Sequence, residues 1–188
     1  MDQVDRKIIS LLALNGRTTL KQLSDNVGFS NTGVKKRLAR LFDKGILKVS
    51  ALLNLNTLKL QAALLLLELE SGLVLDNYLK RFSECPRIVQ TFRLLGGYNL
   101  AMVLIAENSD TLESLAAYCP LRAHDGVRRS EFYPISNLPY SAYLPVREYL
   151  VRGETGKAPC NCDCADCSRY QSKKCVGCPA TEKYRGTL

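Results

Sequence analysis

The four residues Val27-Gly28-Phe29-Ser30 constrain the start of this chain more tightly than any other stretch. They separate two amphipathic segments. Leu20, Leu23 and Val27 precede them at helical spacing, and Val34, Leu38 and Leu41 follow at the same spacing. Gly28 suits a left-handed helix end, and Ser30 is a strong N-cap. A capping-box pattern, Thr19 to Gln22, opens the preceding segment. Earlier still, Val4, Ile8, Leu11 and Leu12 share one helical face that ends at Asn15-Gly16. Three helices joined this way, the last two by a turn containing glycine, match the helix-turn-helix pattern. Gly45 stops the third helix, and Ile46–Leu52 reads as a strand that would form a wing.

Charge placement then bears on function. The chain has a net charge of +8. Between Ser30 and Ser50, Lys35, Lys36, Arg37, Arg40, Lys44 and Lys48 face one acid, Asp43. Cations so placed neutralise phosphates and release counterions, and small polar residues at a helix start reach base edges. Double-stranded DNA is therefore the expected partner. Its candidate contacts are Ser30, Asn31, Thr32, Lys35, Lys36 and Arg40, with Lys48 on the wing. A solvated basic face on an ordinary three-helix bundle is the competing reading; turn, caps and charge together favour DNA.

Residues 51–150 read as βαββαβ. The expected elements are a strand over Leu58–Leu69, a helix over Val74–Phe82, strands at Ile88–Leu95 and Leu100–Ala106, a helix capped by Asp110 and running to Ala117, and a strand over Val127–Tyr133. The order is that of a ferredoxin-like α+β domain. Gly96-Gly97 is expected to form a tight hairpin with positive φ. One sheet face would carry the helices. The other needs a cover, most simply a second copy, so a homodimer or higher even oligomer is expected.

The stretches VDRKIISLLALNGRTTLKQLSDNVGFSNTGVKKRLARLFDKGILK, ALLNLNTL and LLGGYNLAMVL resemble those of the Lrp/AsnC (feast/famine) transcriptional regulators, over about residues 3–140. The resemblance rests most on Asp5-Arg6-Lys7-Ile8, the Val27–Ser30 turn, Gly45-Ile46-Leu47 and the turn Gly96-Gly97-Tyr98-Asn99. It implies a winged helix-turn-helix followed by a βαββαβ domain that dimerises and binds a small effector, with Gly96, Gly97, Tyr98 and Asn99 as effector contacts. The family's glycine turn typically ends in Asp. Asn99 stands there in this chain, and a neutral amide cannot pair ionically with an α-amino group.

Behind a linker at 151–159, residues 160–188 form a tail with six of the chain's eight cysteines. Two C-x-x-C pairs, Cys164/Cys167 and Cys175/Cys178, are the expected ligands of a tetrathiolate metal site, zinc or alternatively an iron–sulfur cluster. Cys160 and Cys162 are left over, as extra ligands or redox thiols. Disulfides are the competing reading. The tail is too poor in apolar residues to order itself without one or the other. Cys85 and Cys119 read as buried packing residues.

No apolar run approaches the roughly 20 residues of a membrane helix. The first ten residues, MDQVDRKIIS, lack the pattern of a secretory leader, so a cytoplasmic location is expected. No catalytic set is evident. The single histidine, His124, lies in a loop beside Asp125, so a siroheme decarboxylase-like, tetrapyrrole-binding enzyme on the same scaffold is only the alternative. A metal-dependent interaction module is a third reading.

Overall fold

The computed structural model describes residues 1–151, 153 and 155–188, which form two compact units, Met1–Ala51 and Leu52–Leu188. In the first, α1 (Gln3–Leu14) opens on a capping box. The Asp5 amide donates to the Asp2 carboxylate at 2.8 Å, and the Asp2 amide donates to Asp5 at 3.2 Å. Helix α2 (Leu20–Val27) opens on the expected Thr19–Gln22 box and ends at Gly28, whose φ of 73° only glycine adopts without strain. Helix α3 (Asn31–Asp43) is capped by Ser30, whose hydroxyl accepts from the Gly33 amide at 3.2 Å. Ile8, Leu23 and Val34 close the core of this unit, with Val4, Leu11, Leu12, Val27 and Leu38 around them.

A carboxylate is buried at the side of that core. Asp5 has no exposed surface, and it accepts from Arg37 at 2.9 Å and from Arg40 at 2.6 Å. Arg37 also reaches Asp2 at 2.6 Å. Thus α1 and α3 are tied by charge-assisted hydrogen bonds as well as by packing. Burial pushes the Asp5 carboxyl upward, but the Arg37 hydrogen bond and the Asp2 amide outweigh it and hold it below the ordinary range.

The strand expected over Ile46–Leu52 does not form. Gly45 turns with φ 63°, and the amides of Ile46 and Leu47 fold back on the Leu41 carbonyl at 2.9 and 3.1 Å. Those bonds wrap the chain round the end of α3 instead of extending it. Among the described residues of the first unit no strand is present to pair with it. Lys48 therefore lies on an exposed irregular segment.

The second unit begins with a short strand, β1 (Leu53–Asn54). A turn then delays the next strand: Asn54 accepts from Thr57, and Lys59 adopts φ 55°. So β2 runs Gln61–Leu69 and not from Leu58. There follow α4 (Gly72–Arg81), β3 (Ile88–Arg93), β4 (Leu100–Ala106), α5 (Ser109–Ala117), β5 (Val127–Ile135) and β6 (Tyr143–Leu144). The four long strands form an antiparallel sheet ordered β3-β4-β2-β5, the ferredoxin-like arrangement, and β6 pairs with β1. Asn108, not Asp110, caps α5, its side chain accepting from Thr111 at 2.8 Å.

Leu65, Leu67 and Leu69 of β2 and Leu100, Met102 and Leu104 of β4 pack with Leu75, Tyr78 and Phe82 on one sheet face. The Tyr78 hydroxyl finds its partner in the Leu121 carbonyl at 2.6 Å. The other face is covered only in part. Val89 and Ile105 are buried there with Leu55, Leu60 and Ala62, while Leu64, Leu66 and Val103 are half-buried and Phe92 and Tyr133 are exposed.

Asp5 generates a prediction. Asp5→Asn removes a buried charge while leaving Arg37 and Arg40 partly solvated, and it should destabilise the first unit by about 1–3 kcal/mol in denaturant unfolding. Because the folded-state carboxyl is depressed, its contribution is present above the ordinary pKa of about 4 and is lost as pH falls through the lower folded value. The acid-side loss of stability should be shallower in Asp5→Asn than in the parent.

Candidate functional site

On α3, Thr32, Lys35, Lys36 and Ala39 are exposed at helical spacing and make one continuous outward stripe, opposite buried Val34 and Leu41. The other expected DNA contacts are differently placed. Ser30 spends its oxygen on the helix cap. The Asn31 side-chain oxygen accepts from Ser24 at 2.5 Å, which ties α2 to the start of α3. Arg40 is half-exposed but paired with Asp5, and Arg37 lies over the Phe29 ring at 5.0 Å. Sequence reasoning assigned Arg40 to DNA because charge is visible in a sequence and its partner is not.

The glycine turn lies between β3 and β4 and is longer than a tight hairpin, spanning residues 94–99. Neither Gly96 nor Gly97 has positive φ, so the expected left-handed geometry is absent. What Gly97 supplies is close approach: a Cβ there would lie 3.2 Å from the Arg129 guanidinium. That guanidinium stacks over Tyr98 at 4.3 Å. Asn99 pairs its carboxamide with the Leu69 backbone, accepting from the amide at 2.9 Å and donating to the carbonyl at 2.7 Å. An aspartate could accept there but could not donate. His124 packs edge-on to Tyr78 and Phe82, at ring separations of 5.3 and 6.0 Å.

The cysteine-rich segment folds back on the sheet domain. The expected linker includes Arg152 and Glu154, which lie outside the described residues; just after them Thr155 bridges to Thr181 and Ala158 is buried. Arg87 is 3% exposed. It pairs with Glu107 through both of its terminal nitrogens, at 2.8 and 3.2 Å, and donates to the Gly177 carbonyl at 2.7 Å. Arg169, on the four-residue helix α6 (Ser168–Gln171), donates to Ser114 at 2.9 Å and to Glu113 at 2.8 Å on α5. Ser114 in turn donates to the Lys174 carbonyl at 2.9 Å. The Tyr184 hydroxyl bonds to Glu107.

Between tail and domain lies a cavity of about 530 Å³, lined by all eight cysteines of the chain. Cys85 and Cys119 line it too, and pack against the sheet core as expected. None of the eight is in a disulfide. Among the described residues, no three His, Cys, Asp or Glu side chains come close enough together to hold a single ion. Burial pushes the Cys160 and Cys178 thiols up to about 12, and raises Cys85, Cys119 and Cys164 as well. Gly177, within the second C-x-x-C turn, has φ 87°, and a Cβ there would lie 3.0 Å from the Lys183 carbonyl.

Comparison with known proteins bears on the first unit and the sheet domain. The family described as winged helix-turn-helix DNA-binding matches residues 1–48. The HTH-type transcriptional regulator Zrp of Zymomonas mobilis is 34% identical over 113 residues, covering 57% of this chain and 73% of Zrp. This chain belongs to the Lrp/AsnC family of transcriptional regulators. Its fold agrees with that of Escherichia coli AsnC, at a TM-score of 0.65 and 18% identity, over 74% of this chain and 94% of AsnC. It agrees equally with a Neisseria meningitidis transcriptional regulator solved as its L-Met complex, at a TM-score of 0.67 and 22% identity, over 79% and 99% of the two chains. As an Lrp/AsnC regulator the protein is a DNA-binding transcription factor and not an enzyme, so the decarboxylase alternative falls away.

In this Lrp/AsnC protein the tail is anchored through Arg87, which a buried ion pair with Glu107 holds in place. Arg87→Met leaves Glu107, 5% exposed, without its cation. Breaking such a pair typically costs about 3–5 kcal/mol. The variant should melt earlier in its second unit, and limited proteolysis should cut within 160–188 before the sheet domain is attacked.

Proposed function

We propose that the protein is a homo-oligomeric, sequence-specific regulator that reads double-stranded DNA with α3. The observation that carries this reading is the exposed stripe of Thr32, Lys35, Lys36 and Ala39 on a helix whose opposite face is locked into its core. Thr32 and Ala39 are small enough to approach base edges, and the two lysines reach phosphates on either side. Two such helices, one from each protomer, would read half-sites about one helical turn apart. Such a role places the protein in the cytoplasm, and no described helix is long and apolar enough to cross a membrane.

The partly covered sheet face supports assembly through that face, where Leu64, Leu66, Val103, Phe92 and Tyr133 offer apolar surface. A small effector bound near Gly96–Asn99 is the accompanying reading, supported by the L-Met complex of the meningococcal neighbour. Asn99 is occupied with the Leu69 backbone, so an effector would meet the Gly96-Gly97 backbone and Tyr98, with the Glu131 carboxylate beside Tyr98.

Lys36→Ala should weaken DNA binding and lower the slope of log K against log salt by about 1. An unchanged slope would remove Lys36 from the interface. Arg40→Ala should weaken binding and also lower stability, because its partner is Asp5. Leu64→Asp should convert the oligomer to monomer in sedimentation velocity while leaving the far-ultraviolet circular dichroism unchanged; an oligomer that persists would place the interface elsewhere.

A further inference from the structure

The eight cysteines share one cavity, two C-x-x-C turns supplying four of them and four other positions the rest. Cys164, Cys167, Cys175 and Cys178 come from the two C-x-x-C turns. The Cys167 amide closes the first turn on the Cys164 carbonyl at 3.1 Å, and left-handed Gly177 shapes the second. Cys164 neighbours Cys167, Cys175 and the Cys178 backbone, and Cys178 neighbours Cys85 as well, so the two groups adjoin. The second set was invisible as a set in the sequence. Cys85 and Cys119, from the loops after α4 and α5, pack with Cys160 against the sheet core. Cys162 adjoins Cys160, in a loop closed by Ala158-to-Cys162 and Asn161-to-Ala158 hydrogen bonds at 3.0 and 2.8 Å.

A repeated local design runs through both sets. Cys85, Cys119 and Cys178 are each followed by proline. Proline has no N–H and a fixed φ, so it restricts the chain just past each of these three sulfurs. Arg87 lines the same cavity and brings a buried positive charge close to Cys175.

The size of the cavity bears on the choice of metal chemistry. A structural zinc ion draws four sulfurs to within about 3.8 Å of one another, given Zn–S bonds of about 2.3 Å in a tetrahedron. Among the described residues no three donors approach a common ion. A cavity of about 530 Å³ is also far larger than one ion fills; a water takes a share of about 30 Å³. Sulfurs that line a large hollow without converging on a point suit a polynuclear cluster, in which each thiolate holds its own iron.

We propose that the cavity is a double iron–sulfur site, with one cubane cluster held by Cys164, Cys167, Cys175 and Cys178 and a second by Cys85, Cys119, Cys160 and Cys162. Both clusters lie between the tail and the sheet domain. Cluster loading would add to the hold that Arg87 and Arg169 already give the tail.

The test uses the full chain, purified without oxygen and reconstituted with ferrous iron and sulfide. Iron, acid-labile sulfide and zinc are then counted per chain, and Mössbauer spectra identify the cluster type. Two cubanes give about eight irons and eight sulfides per chain. About four of each would mean that only one set of cysteines ligates, and would overturn the double site. Zinc without sulfide, or metal-free protein with alkylation-resistant cysteines, would overturn it entirely. Cys119→Ser should halve the iron and leave the remaining cluster's spectrum intact; undiminished iron would also overturn it. Should that variant not fold, the wild-type stoichiometry decides alone. Wild-type DNA binding, measured separately, tests the regulator reading without touching this one.

Discussion

One buried guanidinium organises the second half of the molecule. Arg87 enters at the start of β3, pairs with Glu107 beyond the end of β4, and reaches Gly177 in the tail. An arginine this deeply buried is stable only when its donors are satisfied. Its position therefore fixes three segments together: the loop carrying Cys85, the end of β4 and the turn carrying Cys178. Arg147 reinforces the first of these, donating to the carbonyls of Ser83, Cys85 and Ile88. The cavity is the space these anchored segments leave between them.

The first unit works on the same principle at smaller scale. Ile8, Leu23 and Val34 supply its hydrophobic centre, but Asp5 fixes the angle at which α3 leaves α1. A purely apolar contact between short helices tolerates sliding; a buried carboxylate gripping two arginines does not. That rigidity fixes the orientation of α3 within the first unit.

Much of this was legible in the sequence because it is local. Caps, glycine ends and apolar spacing identified α1, α2 and α3, and β4 had its observed bounds. The misreadings share one cause. Ile46–Leu52 has strand-like residues but no partner, and Leu58–Leu60 continues an apolar run that a left-handed Lys59 interrupts. Strands depend on what lies beside them, which a sequence does not display. The site divides in the same way. The C-x-x-C turns announce themselves by spacing, whereas Cys85 and Cys119 meet Cys160 only after the sheet has formed. The repeated Cys-Pro pairs were the one signal that could have linked them.

The bond from Arg87 to Gly177 spans 90 residues. Synthesis runs from the N-terminus, so the helix-turn-helix and the whole sheet emerge from the ribosome before the residue that completes the Arg87 environment. Until then Arg87 has Glu107 and the Ile105 carbonyl but not its tail partner, so a buried charge of the sheet domain stays incompletely satisfied until Gly177 has been made.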